Sequence, residues 1–273
     1  MKRTAGNLIF WQTIVRSVAM TVLVGILEAL AFAQTISDLS GVRNSTGMRR
    51  LTDKQLQQIR ETLSQKSGFV ELGFDSQGAL TLGNRQNTVG GSATARALLV
   101  AAVDSDNLYE LENHDRSESV AFAQIFERGD RVISQTRKMS TVYQLQIDFA
   151  DFGQLSGSNE AKASFDLGIT LLHELVHGVF NLQDPQEMNQ IGDCDAHINQ
   201  IRRELRLPER LYYHPIVTTV KTGLSKIVIV AQLEFVEAST GRGAKFKLNW
   251  LPVNISPSTR NIAQLQTGAM KAR

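Results

Sequence analysis

Apolar positions recur at helical spacing in several stretches of the chain. Leu56, Ile59 and Leu63 follow Thr52-Asp53-Lys54-Gln55, an N-capping pattern, and predict a helix to about Gln65. Ser92 to Val103, rich in Ala and Leu, reads as a buried helix. Phe165, Ile169, Leu172, Val176 and Phe180 recur at steps of four and three, which predicts a long helix over about Ala161 to Phe180. A further helix, about Asp195 to Leu205, ends before Leu207-Pro208.

Between these lie patterns of period two. Residues 69–74 and 79–82 flank Asp75-Ser76-Gln77-Gly78, a turn sequence, and predict a β-hairpin. Residues 108–112 and 119–126 read as extended, and Val142 to Phe149 alternates apolar and polar positions like a half-buried strand. A second hairpin is expected over 227–236 and 245–250, around the turn 239–243. Helices and hairpins mix without regular β-α-β alternation, so the fold class expected is α+β. Residues 35–50 show no period and are expected to belong to a linker spanning 34–50. One domain is expected over 51–255, with a flexible tail at 256–273.

Charge changes the picture at the N-terminus. The first 33 residues contain three of the 29 basic residues (Lys2, Arg3, Arg16) and one of the 27 acidic ones (Glu28), leaving 26 of each in the remainder. The body is neutral, which gives no electrostatic support for nucleic-acid binding. The excess precedes an apolar run at 17–33 that closes on Ala31-Phe32-Ala33, the pattern of a cleaved export signal. An uncleaved membrane anchor is the alternative, against which stand Glu28 and a run shorter than the roughly 20 residues needed to span. The single cysteine, Cys194, precludes an internal disulfide, so the fold must rest on a packed core.

The candidate chemistry lies in the long helix, at His173-Glu174-Leu175-Val176-His177. Two histidines four apart share one helix face and can reach a single metal ion. Glu174 is rotated by about 100° from its neighbour, which suits a general base acting on a metal-activated water. Five histidines and fourteen glutamates would form this pattern by chance in roughly 0.005 of such sequences, so coincidence is a poor explanation.

At these residues the chain resembles the zincin metallopeptidases, nearest to the bacterial zinc-metalloprotease effector and toxin-associated peptidase group. The resemblance is close over the helix and looser over about 140–215. It implies a zincin-like fold, with the active-site helix on a mostly antiparallel sheet and β-hairpins alongside. It also implies zinc held by His173 and His177, with Glu174 as general base. The metzincin branch does not match, because Phe180 and Gln183 stand where that pattern has Gly and then His or Asp. Gluzincins take a Glu from a second helix about twenty residues onward. Here Asp193, Asp195 and His197 lie sixteen, eighteen and twenty residues after His177, and the order of preference is Asp195, Asp193, His197. Cys194 is expected to be a free thiol pointing away, and one of the two aspartates to cap the helix.

Tyr212, Tyr213 and His214 follow the second helix, where related enzymes place an oxyanion donor. Tyr213 is the residue selected, with a merely packed tyrosine as the competing reading. His114 reads as a solvated turn residue. The functional expectation is an exported zinc-dependent peptidase, monomeric, acting on a protein or peptide substrate that pairs with the strand at 142–149. The alternatives are a secreted binding or scaffold protein on a degenerate zincin fold and a non-peptide zinc hydrolase.

Overall fold

The computed structural model describes residues 39–133, 136–222, 226–237 and 243–250. The expected export signal and C-terminal tail lie outside the described residues, as does most of the last hairpin's turn. Among the described residues no helix is long and apolar enough to cross a membrane. In chain order the elements are β1 (Gly41–Asn44), α1 (Asp53–Ser67), β2 (Gly73–Phe74), β3 (Leu80–Thr81), α2 (Ala93–Val103), β4 (Leu108–Asn113), β5 (Ala123–Val132), β6 (Met139–Ile147), α3 (Phe149–Phe152), β7 (Ser156–Gly157), α4 (Asn159–Ala163), α5 (Leu167–Phe180), α6 (Gly192–Glu204), β8 (Glu209–Arg210), β9 (Ile216–Thr222), β10 (Lys226–Val236) and β11 (Lys245–Trp250).

The chain divides into two compact units, residues 1–39 with 130–140 and residues 40–129 with 141–273. In the first, the Ile133 N–H donates to the Lys138 carbonyl (2.9 Å) and the Arg137 N–H to the Ile133 carbonyl (2.7 Å). The second holds the α+β body.

Local chemistry sets the helix ends. Thr52 Oγ1 accepts the Gln55 N–H (3.3 Å) while Gln55 Oε1 accepts the Thr52 N–H (2.9 Å), a reciprocal capping box that starts α1. Gly68, at φ 81°, ends it; a Cβ there would stand 2.4 Å from the Gly90 carbonyl oxygen. The long helix expected over 161–180 is broken in two, because the Asp166 carboxylate accepts the Ile169 N–H (3.0 Å) and caps a new start for α5. The Ser164 carbonyl at the break accepts from Arg202 Nε (3.0 Å).

The sheet beside α5 has the order β1-β4-β6-β5, with β1/β4 and β4/β6 parallel. This corrects two expectations. Residues 41–44 are a buried core strand, not linker, and the described ladders of this sheet are not antiparallel. The link from β1 to β4 carries two helices, and a crossover of that length is what permits parallel neighbours. The strand expected to offer a free edge, β6, lies between β4 and β5, so the outer strand on that side is β5. The antiparallel expectation holds elsewhere: β7-β11-β10-β8 form a second sheet in which Ala231 to Val236 pair with Trp250 to Lys245, and β9 also pairs with β10.

The main core gathers Ile59, Leu63, Leu98, Leu145, Leu172 and Ile198 from α1, α2, β6, α5 and α6. Phe122, Phe165, Leu233, Phe235 and Leu248 form a second cluster under the antiparallel sheet. Tyr109 of β4, stacked on Tyr143, donates its hydroxyl to the Gly178 carbonyl (3.2 Å) and seats α5 on the sheet. A Cβ on Gly178 would come within 2.6 Å of that ring, so glycine permits the approach. Glu204 ties α6 to the start of α2, accepting from Ser92 Oγ (2.6 Å), Thr94 Oγ1 (2.6 Å) and Thr94 N–H (3.0 Å).

Candidate metal centre

The face of α5 that carries His173 and His177 brings their Nε2 atoms to 3.1 Å, with the rings nearly perpendicular. His177 Nδ1 donates to the Leu182 carbonyl at 2.6 Å, which orients the ring and leaves Nε2 as the nitrogen that can hold a proton or an ion. Burial disfavours protonation of His177, but Asp184, the Leu182 carbonyl and Glu174 outweigh it and raise the pKa to about 9.

Asn181 explains why Leu182 is there. At φ 54° it caps α5 in the left-handed region, a conformation Asn tolerates, and the chain folds back over the last helical turn. The reversal delivers Asp184, whose Oδ1 lies 3.3 Å from His173 Nε2 and Oδ2 3.4 Å from His177 Nε2. Burial opposes its charge, yet the two histidines and the Tyr213 hydroxyl hold the carboxyl far below the usual range. Asp184 Oδ1 is nevertheless buried without a well-directed hydrogen bond. The atom thus retains a lone pair for a cation.

Cys194 completes the group, which corrects the expectation that its thiol points away. Its Sγ is fully buried, 3.4 Å from His173 Nδ1, 3.7 Å from each Nε2 and 3.6 Å from the His173 carbonyl oxygen. Burial pushes the thiol pKa up, reinforced by Asp184, Asp195 and Glu174. One donor atom from each of His173, His177, Asp184 and Cys194 lies within 4.8 Å of all the others, so this buried group can bind a metal ion.

Glu174 stands beside the group without belonging to it. It is 8% exposed, and burial raises its pKa to about 7 against the pull of His173 and His177. The Ile125 amide of β5 donates to it. Tyr213 stacks on His173 (5.8 Å between centroids, 14° between planes) under the Arg210 guanidinium. Burial and Asp184 push its pKa up, so the hydroxyl keeps its proton and donates to that carboxylate. Tyr212 is half-buried, its carbonyl accepting from Arg210 Nε (3.0 Å), and His214 Nε2 meets the Pro185 carbonyl (2.9 Å).

The three residues expected to supply the third ligand lie outside the group. Asp195 is corrected: its Oδ1 accepts from Arg202 (3.0 Å) and its Oδ2 from Arg210 (2.9 Å), in complete burial. Burial opposes its charge, but the two guanidiniums hold its pKa down. One residue along a helix turns the side chain by about 100°, so Cys194 faces α5 while Asp195 faces the arginines. Asp193 is exposed, and neither aspartate caps the helix, whose N-cap is Ile191. His197 packs on Phe180 (5.2 Å), with Nε2 buried and without a hydrogen bond, and burial lowers its pKa. His114 is also buried, between Arg49 and Glu112 at 3.3 Å each, and not solvated.

Asp184 was missed by sequence reasoning although it stands seven residues after His177, one beyond the position where a metzincin ligand was sought. An acidic residue just past the end of the helix that carries the two histidines was the available signal. No protein-family model, curated protein or solved structure matches the chain.

Proposed function

We propose that the protein is a zinc-dependent peptidase in which His173, His177 and Asp184 hold the ion and Glu174 is the general base. The observation that carries this reading is the position of Glu174, adjacent to both imidazoles yet outside the donor group, with burial holding its pKa near 7. A carboxylate so poised takes up and releases a proton at neutral pH, which is the task of a general base. The donor set suits zinc. Tetrahedral bonds of about 2.0–2.2 Å to nitrogen and oxygen put those ligand atoms about 3.4 Å apart. Here the two Nε2 atoms stand 3.1 Å apart, and each lies near one oxygen of Asp184, His173 at 3.3 Å from Oδ1 and His177 at 3.4 Å from Oδ2. When bound, such an ion supplies Lewis acidity towards a carbonyl and a water.

The remaining roles belong to the chain. Tyr213, engaged by Asp184, orients that carboxylate, in place of the oxyanion donor expected from its sequence position. The outer strand β5, whose Ile125 amide reaches Glu174, is the edge along which an extended peptide would pair. The basic then apolar N-terminal 33 residues extend the proposal to an exported protein.

Cys194 favours a second reading. A fourth protein donor describes a closed, structural ion site on a binding or scaffold protein. Metal analysis of purified protein together with cleavage of a peptide library separates the two. Stoichiometric zinc and chelator-sensitive cleavage, lost in Glu174→Gln with zinc retained, are expected. Folded protein that takes up no zinc, or cleavage indifferent to chelator, would overturn the peptidase reading.

A further inference from the structure

We infer that Arg210 is a positioning residue of the ion site and sets its affinity through Tyr213, the side chain that touches both His173 and Asp184. The inference rests on the proposed ion site and adds to it a support outside the donor group.

Arg210 is itself fixed on every side. Its backbone lies in β8, where it pairs with Phe235 of β10. The Asn199 amide of α6 grips the same residue twice, Oδ1 accepting the Arg210 N–H (2.9 Å) and Nδ2 donating to the Arg210 carbonyl (2.9 Å). The antiparallel sheet and α6 thus place the root of the side chain. Its head is then held in three directions: Nε donates to the Tyr212 carbonyl (3.0 Å), Nη1 to Asp195 Oδ2 (2.9 Å) and Nη2 to the Tyr213 carbonyl. A planar fork engaged on three sides has one orientation, and burial keeps water from competing for its donors.

Tyr213 meets this fixed head at two points. Besides the carbonyl contact, its ring centroid stands 4.9 Å from the guanidinium carbon, within cation–π range, and the Phe165 ring stands 5.7 Å from the same carbon. The Tyr213 N–H donates to the Gln190 carbonyl (3.0 Å), so both main-chain groups of the residue are engaged. The ring so placed stacks on His173 with 14° between planes, and its hydroxyl donates to Asp184. The two histidines differ in how much they need it. His177 Nδ1 has the Leu182 carbonyl at 2.6 Å to orient it, whereas His173 Nδ1 meets the Cys194 thiol at 3.4 Å, a weak hydrogen-bonding partner. The direction in which the His173 imidazole presents Nε2 therefore depends on the ring stacked against it.

Arg210→Lys separates this role from a purely structural one, because it keeps a cation opposite Asp195 and loses the fork and the flat face. Zinc affinity is read by competition with a chelating dye in full-length wild type, Arg210→Lys, Tyr213→Leu and the double variant, with urea unfolding of the metal-free proteins alongside. Arg210→Lys is expected to weaken zinc binding by about tenfold in the wild-type background and by less than about twofold in Tyr213→Leu, while lowering the urea midpoint in both. An equal loss of affinity in the two backgrounds, or no loss in either, overturns the inference and leaves Arg210 as part of the fold alone. Arg210→Gln, which keeps an amide donor for the Tyr213 carbonyl, carries the same cycle if the lysine variant does not fold.

Failure of the two proposals is distinguishable. Chelator-sensitive cleavage together with an equal loss in both backgrounds would keep the peptidase and remove the positioning role. A non-additive pair with no cleavage by wild type would keep the positioning role and remove the peptidase. Folded wild type that takes up no zinc overturns both.

Discussion

Cys194 and Asp195 are neighbours in sequence and both fully buried, yet they serve two different centres. Around Asp195 every polar requirement is met from within. Two guanidiniums bind its carboxylate, Asn199 accepts from Arg202 (2.8 Å), and backbone carbonyls of Ser164, Tyr212 and Tyr213 take the remaining donors. The Phe235 and Phe165 rings face the two guanidiniums. Around Cys194 two imidazole nitrogens, a carboxylate and a sulfur converge, and Asp184 Oδ1 is left buried without a hydrogen bond. Burial of polar groups is common to both. What distinguishes a candidate site from a structural network is whether the neighbours satisfy the charge that burial makes expensive.

The contrast can be broken most severely at Glu174. Glu174→Gln should lower peptide cleavage by about 10²–10⁴-fold while retaining the ion, measured by turnover and metal content on the same sample. Next is Asp195→Asn, which leaves Arg202 and Arg210 buried and unpaired and should destabilise by about 3–5 kcal/mol in urea unfolding, without altering the metal content of the folded fraction. Asp184→Asn should do the reverse, weakening the ion while changing metal-free stability less. Tyr213→Phe removes only the hydrogen bond to Asp184 and should weaken ion affinity by about 10–100-fold, read by competition with a chelating dye.

The smallest effect is expected away from both centres. Glu204 opposes its own burial with hydrogen bonds from Ser92, Thr94 and Gln200, which hold its pKa at about 2 against an ordinary 4.5. A folded-state pKa below the unfolded value means that this stabilisation is complete above about pH 4.5 and is lost as pH falls towards 2. Glu204→Gln should cost about 1–2 kcal/mol at neutral pH and flatten the stability profile across that acid window. An unchanged profile would show that the α2–α6 tie is immaterial.

Much of this was legible in local sequence. The Thr52 cap, the Ser92 helix start, the 227–236 and 245–250 pairing and the His173-Glu174-His177 face all depend on residues a few positions apart, where spacing dictates geometry. The break before α5 was missed because Asp166 competes as a cap inside an unbroken apolar period. The strand at 41–44 was missed because a four-residue strand has too little period to read, and it is fixed by its partner β4, more than sixty residues away.

The site divides along the same line. Residue order alone sufficed to put two imidazoles on one helical face with a carboxylate turned about 100° from His173, since 3.6 residues per turn is a property of the backbone. Choosing the other donors required the chain to reverse at Asn181 and α6 to dock in one rotation, which brings Asp184 and Cys194 in and turns Asp195 outward to its arginines. That rotation is set by the packing of Ile198 and Ile201 in the core and by Arg202 together with Arg210, the latter beyond the end of the helix, so spacing within the second helix alone could not have decided it.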